Sequence, residues 1–156
     1  MNKGILKFFL FVILFYFNSA KGSDLNIFSV GLFDFNKQKN EAVDIRFEKR
    51  FDKSVFNLGP EEAALYTLKP FFGIEATSDS ALYGLVGVFI EEKITENIFI
   101  TPNFGVGAFS KGDGKDLGHA IEFRSTIEFS VQLESGNRIG LSVGHISNSS
   151  IGEKNP

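Results

Sequence analysis

A two-residue period of apolar and polar side chains, repeated in segments of about ten residues, constrains this fold more than any other feature. In 121–131 one face is polar or charged, and the other is apolar except for Ser125. The segment 43–51 alternates in the same way. Successive side chains of a β-strand point to opposite faces, so this period predicts strands with one wet face and one dry face.

Seven such segments follow one another along the chain and predict an all-β protein. They are 26–35, 43–51, 69–77, 81–91, 97–109, 121–131 and 138–148. Turn-rich pieces separate them, as expected for consecutive antiparallel strands. The longest connection, 52–68, contains PEEAALY, which predicts one or two helical turns.

The direction of the apolar face decides between two kinds of barrel. A soluble lipocalin-like barrel places that face inside, and an outer-membrane barrel places it outside. Charged residues at strand centres favour a polar lumen, where ion pairs across strands are expected for Glu75, Glu122, Arg124 and Glu128. We therefore predict an antiparallel outer-membrane β-barrel of the eight-strand type, with seven strands present in this chain. A soluble periplasmic β-sandwich is the alternative.

Aromatic residues near the strand ends fit the same prediction. Outer-membrane barrels carry aromatic girdles at both membrane interfaces. The residues expected to form them are Phe33, Phe35, Phe51, Phe71, Tyr83 and Phe109.

The first twenty residues predict export. Lys3 and Lys7 precede an unbroken apolar run over 8–17, which ends in Asn-Ser-Ala. A charged start, a short apolar stretch and a small final residue are typical of a secretory signal peptide. The run is shorter than the roughly 20 residues of a spanning helix, which makes a retained anchor the less favoured alternative. The predicted division is a signal peptide, 1–20, and a barrel domain, 21–156.

Composition excludes several classes of function. The chain has no Cys, which excludes a disulfide framework, a thiol nucleophile and a Cys-ligated metal centre. His119 and His145 are its only histidines, which argues against a His-rich metal site. Without 1–20 the chain keeps 14 of its 16 basic residues against 19 acidic ones, a net charge of −5. Such an acidic exported chain is not expected to bind nucleic acid.

The last predicted strand carries a polar pair on its apolar face. His145 and Ser147 are two residues apart, on the face of Ile139 and Leu141. An imidazole facing lipid is costly unless it has a partner or a function. A His can accept the proton of a Ser and so create a nucleophile for acyl transfer. The Asn148 amide and backbone N–H groups of the following turn are candidate oxyanion donors.

Position and spacing leave an alternative open for this pair. With a periplasmic N-terminus the seventh strand runs outward, which places His145 and Ser147 near the outer leaflet and 52–68 on the periplasmic side. By spacing alone the motif H-x-S-N is weak. A polar strand end that enters a loop is the alternative interpretation.

Four motifs resemble one family. HISNSSIGEKNP is similar to the C-terminal motif of the PagL-type lipid A 3-O-deacylases, and FDFN, KPFFGIEATSD and GDGKDLGHAIEFRS resemble other stretches of that family. The similarity covers nearly the whole mature chain. It implies an eight-stranded barrel in the outer membrane of a Gram-negative bacterium. It also implies hydrolysis of the ester at the 3-position of lipid A, or lipopolysaccharide, with no metal or other cofactor.

The resemblance also implies residue roles. By motif, His145 matches the catalytic base, Ser147 the nucleophile and Asn148 a proposed oxyanion donor. The family completes its triad with an acid beyond the Asn-Pro, at the start of the last strand, and this chain ends at that Asn-Pro. Glu153 precedes it and is expected to be a solvated loop charge. We therefore expect a fragment or a natural truncation without the eighth strand, with unpaired edges on the first and seventh predicted strands.

Several functions remain open at this point. The leading one is an outer-membrane esterase, inactive as given if its triad acid is absent. The others are a non-catalytic outer-membrane barrel that is structural or binds lipid, and a soluble periplasmic lipid carrier. The segment 113–119 looks superficially like a cation loop, but it lacks the oxygen series of an EF-hand and is expected to be an exposed loop. His119 is expected to hydrogen-bond at a strand start, and a homodimer is left open.

Overall fold

A computed structural model describes residues 12–18, 24–34, 41–59 and 66–152, and it consists of β-strands joined by turns and loops. The strands are β1 (Val12–Asn18), β2 (Leu25–Phe33), β3 (Ala42–Arg50), β4 (Phe56–Leu58), β5 (Tyr66–Thr77), β6 (Leu82–Phe89), β7 (Glu92–Lys93), β8 (Ile98–Ser110), β9 (Ile121–Gln132) and β10 (Arg138–Ser147). The described residues contain no helix of the length and apolar character that crossing a membrane requires.

Eight of these strands pair in a closed antiparallel ring. The order around the ring is β1, β2, β3, β5, β6, β8, β9 and β10, and β10 pairs back to β1. The short strands β4 and β7 pair with β5 and β8. All seven predicted strands are present, as β2, β3, β5, β6, β8, β9 and β10. The predicted all-β antiparallel fold class is therefore confirmed.

The strand β1 was not predicted. It falls inside the segment predicted to be a signal peptide, yet its backbone pairs with β2 over its whole length and with 138–142 of β10. The prediction of unpaired edges is therefore wrong for these parts of β2 and β10. The physical reason is that aliphatic and aromatic residues are good strand formers, and an open strand edge offers them unpaired N–H and C=O groups. Cleavage after Ala20 stays a prediction.

The barrel wall has the reverse polarity of a soluble barrel. Outward-facing apolar residues are widely exposed, with Ile45 at 58%, Ile74 at 57% and Phe129 at 50%. The positions between them are buried, and many carry charged or hydroxyl side chains. An apolar exterior around a polar interior is the arrangement of outer-membrane barrels. The predicted direction of the apolar face is confirmed.

Charged side chains pair across the lumen. Arg124 Nη1 lies 3.4 Å from Glu75 Oε2, and Arg50 Nη2 lies 2.9 Å from Glu128 Oε2. Three of the four residues predicted to form lumen ion pairs therefore do so. The fourth, Glu122, is fully buried but forms no ion pair within the described part of the chain.

Part of the predicted aromatic girdle faces the interior instead. Phe71 and Tyr83 belong to one inward apolar cluster, and Phe33 belongs to a second. The reason is strand parity, because each alternates with an outward-facing neighbour, whatever its closeness to a strand end. Phe109 also faces the interior and packs against both clusters, so the girdle prediction is wrong for these four residues. Phe35 lies outside the described residues.

The connection 52–68 lies at the opposite end of the ring from His145, as the predicted topology requires. Phe56–Leu58 pairs with 66–68, so β5 starts three residues before its predicted start at 69. The predicted helical turns of PEEAALY fall almost entirely outside the described residues.

Candidate active site

The outer end of β10 carries the predicted pair. His145 and Ser147 are half-buried and lie on the same face as the exposed residues Ile139 and Leu141. Ile146, between them, points inward and packs against both apolar clusters. Because successive side chains of a strand face opposite sides, the inward position of Ile146 places His145 and Ser147 on the outer side. The structure therefore brings the predicted base and nucleophile to one face, roughly 7 Å apart along the strand.

On the side of β9 and β8, lipid-facing side chains lie beside this pair. The register places Ser125 of β9 opposite His145, and Phe123 opposite Ser147. Phe123 stacks on Phe104 of β8, with ring centroids 6.0 Å apart and an interplanar angle of 17°. The polar pair therefore borders an aromatic surface on the outside of the barrel.

Asn148, the third predicted site residue, points away from this surface and is fully buried. Its Nδ2 donates to the carbonyl oxygen of Leu117 at 2.8 Å, and its Oδ1 accepts from the backbone N–H of Ser150 at 2.9 Å. The Asn148 carbonyl accepts from the N–H of Ile151 at 3.1 Å. Two turn N–H groups that were candidate oxyanion donors therefore donate to Asn148 itself.

The turn after β10 is tightly fixed against the loop 111–120. Ser149 and Ser150 have φ values of 53° and 65°, which residues other than glycine adopt rarely. A Cβ added at Gly152 would lie 2.5 Å from the carbonyl oxygen of Gly118, so only glycine fits this contact. The contacts of Asn148 compensate for the strained backbone and hold the end of β10 in place.

The loop 111–120 contains the segment 113–119, which the sequence predicts to be exposed, and this segment is only partly exposed. Leu117 is 3% exposed and belongs to the second apolar cluster, and Lys115 Nζ lies 2.8 Å from Asp34 Oδ1. His119 Nδ1 accepts a hydrogen bond from the N–H of Ile121 at 2.9 Å, which confirms its predicted role at a strand start. Among the described residues no cluster of three His, Cys, Asp or Glu side chains is arranged to hold a metal ion.

Two features of the site were missed in the sequence. The first is the hydrogen bond from Asn148 to the carbonyl of Leu117, which lies 31 residues away in the sequence. No residue pattern near Asn148 predicts that contact. The position of Ser125 opposite His145 had a signal, because Ser125 is the one hydroxyl that interrupts the apolar face of 121–131. Glu153 lies outside the described residues, and its role as a loop charge stays a prediction.

The closed ring, its polar interior and its apolar exterior define an outer-membrane type of β-barrel, with a Ser and a His on the lipid-facing side. The family model described as Lipid A 3-O-deacylase (PagL) matches residues 28–156. The chain belongs to the PagL family of lipid A 3-O-deacylases. Comparison with curated proteins and with solved structures finds no match.

Proposed function

We propose that this protein is an outer-membrane esterase that removes the 3-O-linked acyl chain from lipid A. Export by the segment 1–20 stays a prediction, and cleavage after Ala20 would remove β1 from the ring. Membership of the PagL family supports the class of reaction and of substrate. The observation that carries the residue assignment is that His145 and Ser147 share the lipid-facing side of β10. A lipid substrate approaches from that side.

The proposed chemistry is acyl transfer in two steps. Ser147 Oγ attacks the ester carbonyl carbon while His145 accepts the hydroxyl proton. The tetrahedral intermediate expels the oxygen at the 3-position of lipid A, and His145 returns the proton to it. Water then attacks the acyl-serine with His145 again as base, which releases the fatty acid and regenerates the hydroxyl of Ser147. No redox step or cofactor is needed.

The aromatic surface beside the pair suits the acyl part of such a substrate. Phe123 lies opposite Ser147 in the register and stacks on Phe104, which is 49% exposed. An acyl chain that lies along these rings keeps its methylene groups in an apolar environment while its ester reaches Ser147. This arrangement supports a lipid ester over a water-soluble one.

Asn148 enters the proposal as the oxyanion donor. Its Nδ2 carries two hydrogens, and one of them already goes to the Leu117 carbonyl. Donation to an oxyanion therefore requires the second hydrogen and an outward rotation of the turn 148–152. Donors already aimed at an oxyanion are worth about 10²–10³ in rate, and the contribution of Asn148 is reduced by the free energy of that rotation.

Mass spectrometry of lipid A from cells that express the protein tests the proposal. The parent chain should yield lipid A lighter by one 3-O-linked acyl chain, and Ser147→Ala and His145→Gln should not. Ser110→Ala is the matched control, because Ser110 is an exposed serine on the outer face of β8 outside the site. Equal deacylation by Ser147→Ala would contradict the assignment of Ser147 as the nucleophile. No deacylation by the parent chain would contradict the proposed function and favour a non-catalytic barrel.

A further inference from the structure

We propose that the lipid-facing wall formed by β2, β3 and β5 binds a phospholipid of the inner leaflet whose headgroup carries both a phosphate and a primary ammonium. This wall is separate from the outer end of β10, where His145 and Ser147 lie, so the inference does not depend on the proposed esterase function. It starts from Lys49, which is the one charged residue among the outward-facing positions of β3.

Lys49 lies near the end of the barrel that is opposite His145. β3 ends one residue later, and the connection 52–68 lies at that same end, the periplasmic one in the predicted topology. A lysine that faces lipid extends its ammonium towards the nearest headgroups. Lys49 Nζ lies 3.5 Å from Oδ2 of Asp24, which immediately precedes β2, and 5.9 Å from the ring centroid of Phe51. The groups that this ammonium meets in a membrane are therefore the headgroups of the inner leaflet.

Four phenylalanine rings form an apolar surface around Lys49. The register places Phe72 of β5 opposite Lys49. The ring centroid of Phe72 lies 6.5 Å from that of Phe47 and 6.0 Å from that of Phe51, and the centroids of Phe47 and Phe28 are 5.0 Å apart. Phe28 is 49% exposed and Phe72 is 38% exposed. These contiguous rings offer the acyl chains of one phospholipid an apolar surface directly beside the ammonium.

Hydrogen-bond donors for a phosphate lie on the same face. The register places Asn26 of β2 opposite Lys49, and both residues are half-buried on the outer side. The amide of an asparagine has two N–H donors, and the ammonium of a lysine has three. The distance of 3.5 Å between Lys49 Nζ and Asp24 Oδ2 exceeds the roughly 2.7–2.9 Å of a charge-assisted hydrogen bond. The ammonium can therefore donate to a phosphate oxygen without giving up a short bond to Asp24.

Asp24 determines which headgroup fits. Its Oδ1 accepts a hydrogen bond from the backbone N–H of Asp52 at 3.3 Å, which holds the carboxylate beside Lys49. A headgroup with only a phosphate brings a second negative charge next to this carboxylate, and the two charges repel. A headgroup with an ammonium joined to the phosphate by a short spacer brings no net charge. Its ammonium donates to Asp24 while its phosphate accepts from Lys49, so each charge meets its opposite.

Native mass spectrometry of the full chain in detergent micelles tests the site. The protein is mixed with equal amounts of phosphatidylethanolamine, phosphatidylglycerol and phosphatidylcholine that carry the same acyl chains. The parent chain should retain one phosphatidylethanolamine in preference to the other two, because the glycerol headgroup has no ammonium and the choline ammonium has no N–H. Lys49→Met should weaken this binding by roughly 10- to 100-fold, as expected for a hydrogen bond to a charged group, and Lys49→Arg should retain it. Asp24→Asn should remove the preference over phosphatidylglycerol.

Matched controls change exposed charges at the same end of the barrel but away from this wall. Lys93→Met and Glu96→Gln should leave the preference unchanged, and gel mobility shows that each variant is folded. Equal retention of the three lipids by the parent chain, or retention of none, would overturn the proposal. So would parental binding by Lys49→Met, or an equal loss in Lys93→Met, which would indicate non-specific charge attraction. A parent chain that is a dimer without bound lipid, and a monomer in Lys49→Met, would show that a second copy occupies this wall instead.

Discussion

Replacing Arg124 with Met tests whether the ion pairs of the lumen stabilise the barrel. Arg124 is 1% exposed, and its guanidinium contacts Glu48 and lies within 3.4 Å of Glu75. The same group lies 5.7 Å from the ring centroid of Phe71. Met retains an unbranched side chain that can pack against that ring, so the substitution mainly removes the charge and leaves two buried carboxylates without a shared partner.

The magnitude follows from the remaining partners. Removing one member of a buried ion pair costs about 3–5 kcal/mol. Glu48 retains Arg50 at 3.0 Å and Glu75 retains Arg46 at 2.9 Å, so each carboxylate keeps one cation. We therefore expect a loss at the lower end, about 3 kcal/mol in the free energy of unfolding. Adding Glu48→Gln removes one of the leftover charges and should recover roughly 1–2 kcal/mol.

Urea unfolding in lipid vesicles, followed by the mobility difference between folded and unfolded protein on gels, measures both variants. The chain has no Trp, so gel mobility replaces tryptophan fluorescence. A loss below about 1 kcal/mol for Arg124→Met would refute the reasoning. So would a double variant less stable than Arg124→Met, because that outcome means the two carboxylates do not repel once the arginine is gone.

Three further predictions concern the wall and the turn. Gly107→Ala should lower the free energy of unfolding by about 1–3 kcal/mol or more, because the added Cβ would lie 2.1 Å from a backbone oxygen. A Cβ added at Gly84 has no atom within 4 Å, so Gly84→Ala is the control. Equal urea midpoints for the two variants would count against this packing. Ile127→Arg, at the middle of β9, should lower the free energy of unfolding in vesicles by about 2–4 kcal/mol, and Val131→Arg, near the strand end, by about 0–1 kcal/mol. Equal losses would refute the assignment of these positions to the lipid-facing side. Asn148→Asp should make the loop 111–120 more susceptible to protease cleavage, because a carboxylate cannot donate a hydrogen bond to the Leu117 carbonyl. An unchanged cleavage rate would contradict the view that Asn148 holds this loop.

The sequence predicted the strands, and the side of the barrel that each side chain faces, wherever apolar and polar residues alternate without interruption. The segment 121–131 became β9 with its apolar side outward, and its parity placed the charged residues in the lumen. The same reasoning could not identify β1. A continuous apolar run has no two-residue period, so Val12–Asn18 is equally typical of a buried strand and of the core of a signal peptide.

The prediction of the aromatic girdle was partly wrong because it used residue type and closeness to a strand end, and it did not use the face of the strand on which each residue lies. Tyr83 was placed at the membrane interface because it is aromatic and near a strand end. In the structure it is 1% exposed, and its hydroxyl donates to the backbone carbonyl of Glu122 at 2.8 Å inside the barrel. The position of a side chain on its strand determined its facing more strongly than its preference for an interface.

The candidate site was predictable in part. Parity alone puts His145 and Ser147 on the lipid-facing side, and the family resemblance suggests their roles. The contacts of Asn148 with Leu117, and the position of Ser125 opposite His145, depend on strand register and loop packing. The sequence marks Ser125 as a polar interruption of an apolar face, but it does not give the residue opposite, because register is set by pairing between distant segments.

Covalent trapping tests the central claim, that Ser147 is a nucleophile facing lipid, most directly. The protein in vesicles is treated with a long-chain alkyl fluorophosphonate, and the modified peptide is identified by mass spectrometry. We predict one adduct, on Ser147, that is lost in His145→Gln and kept in Ser110→Ala. An adduct on a different serine, or lipid A deacylation that continues after Ser147 is fully modified, would contradict the account.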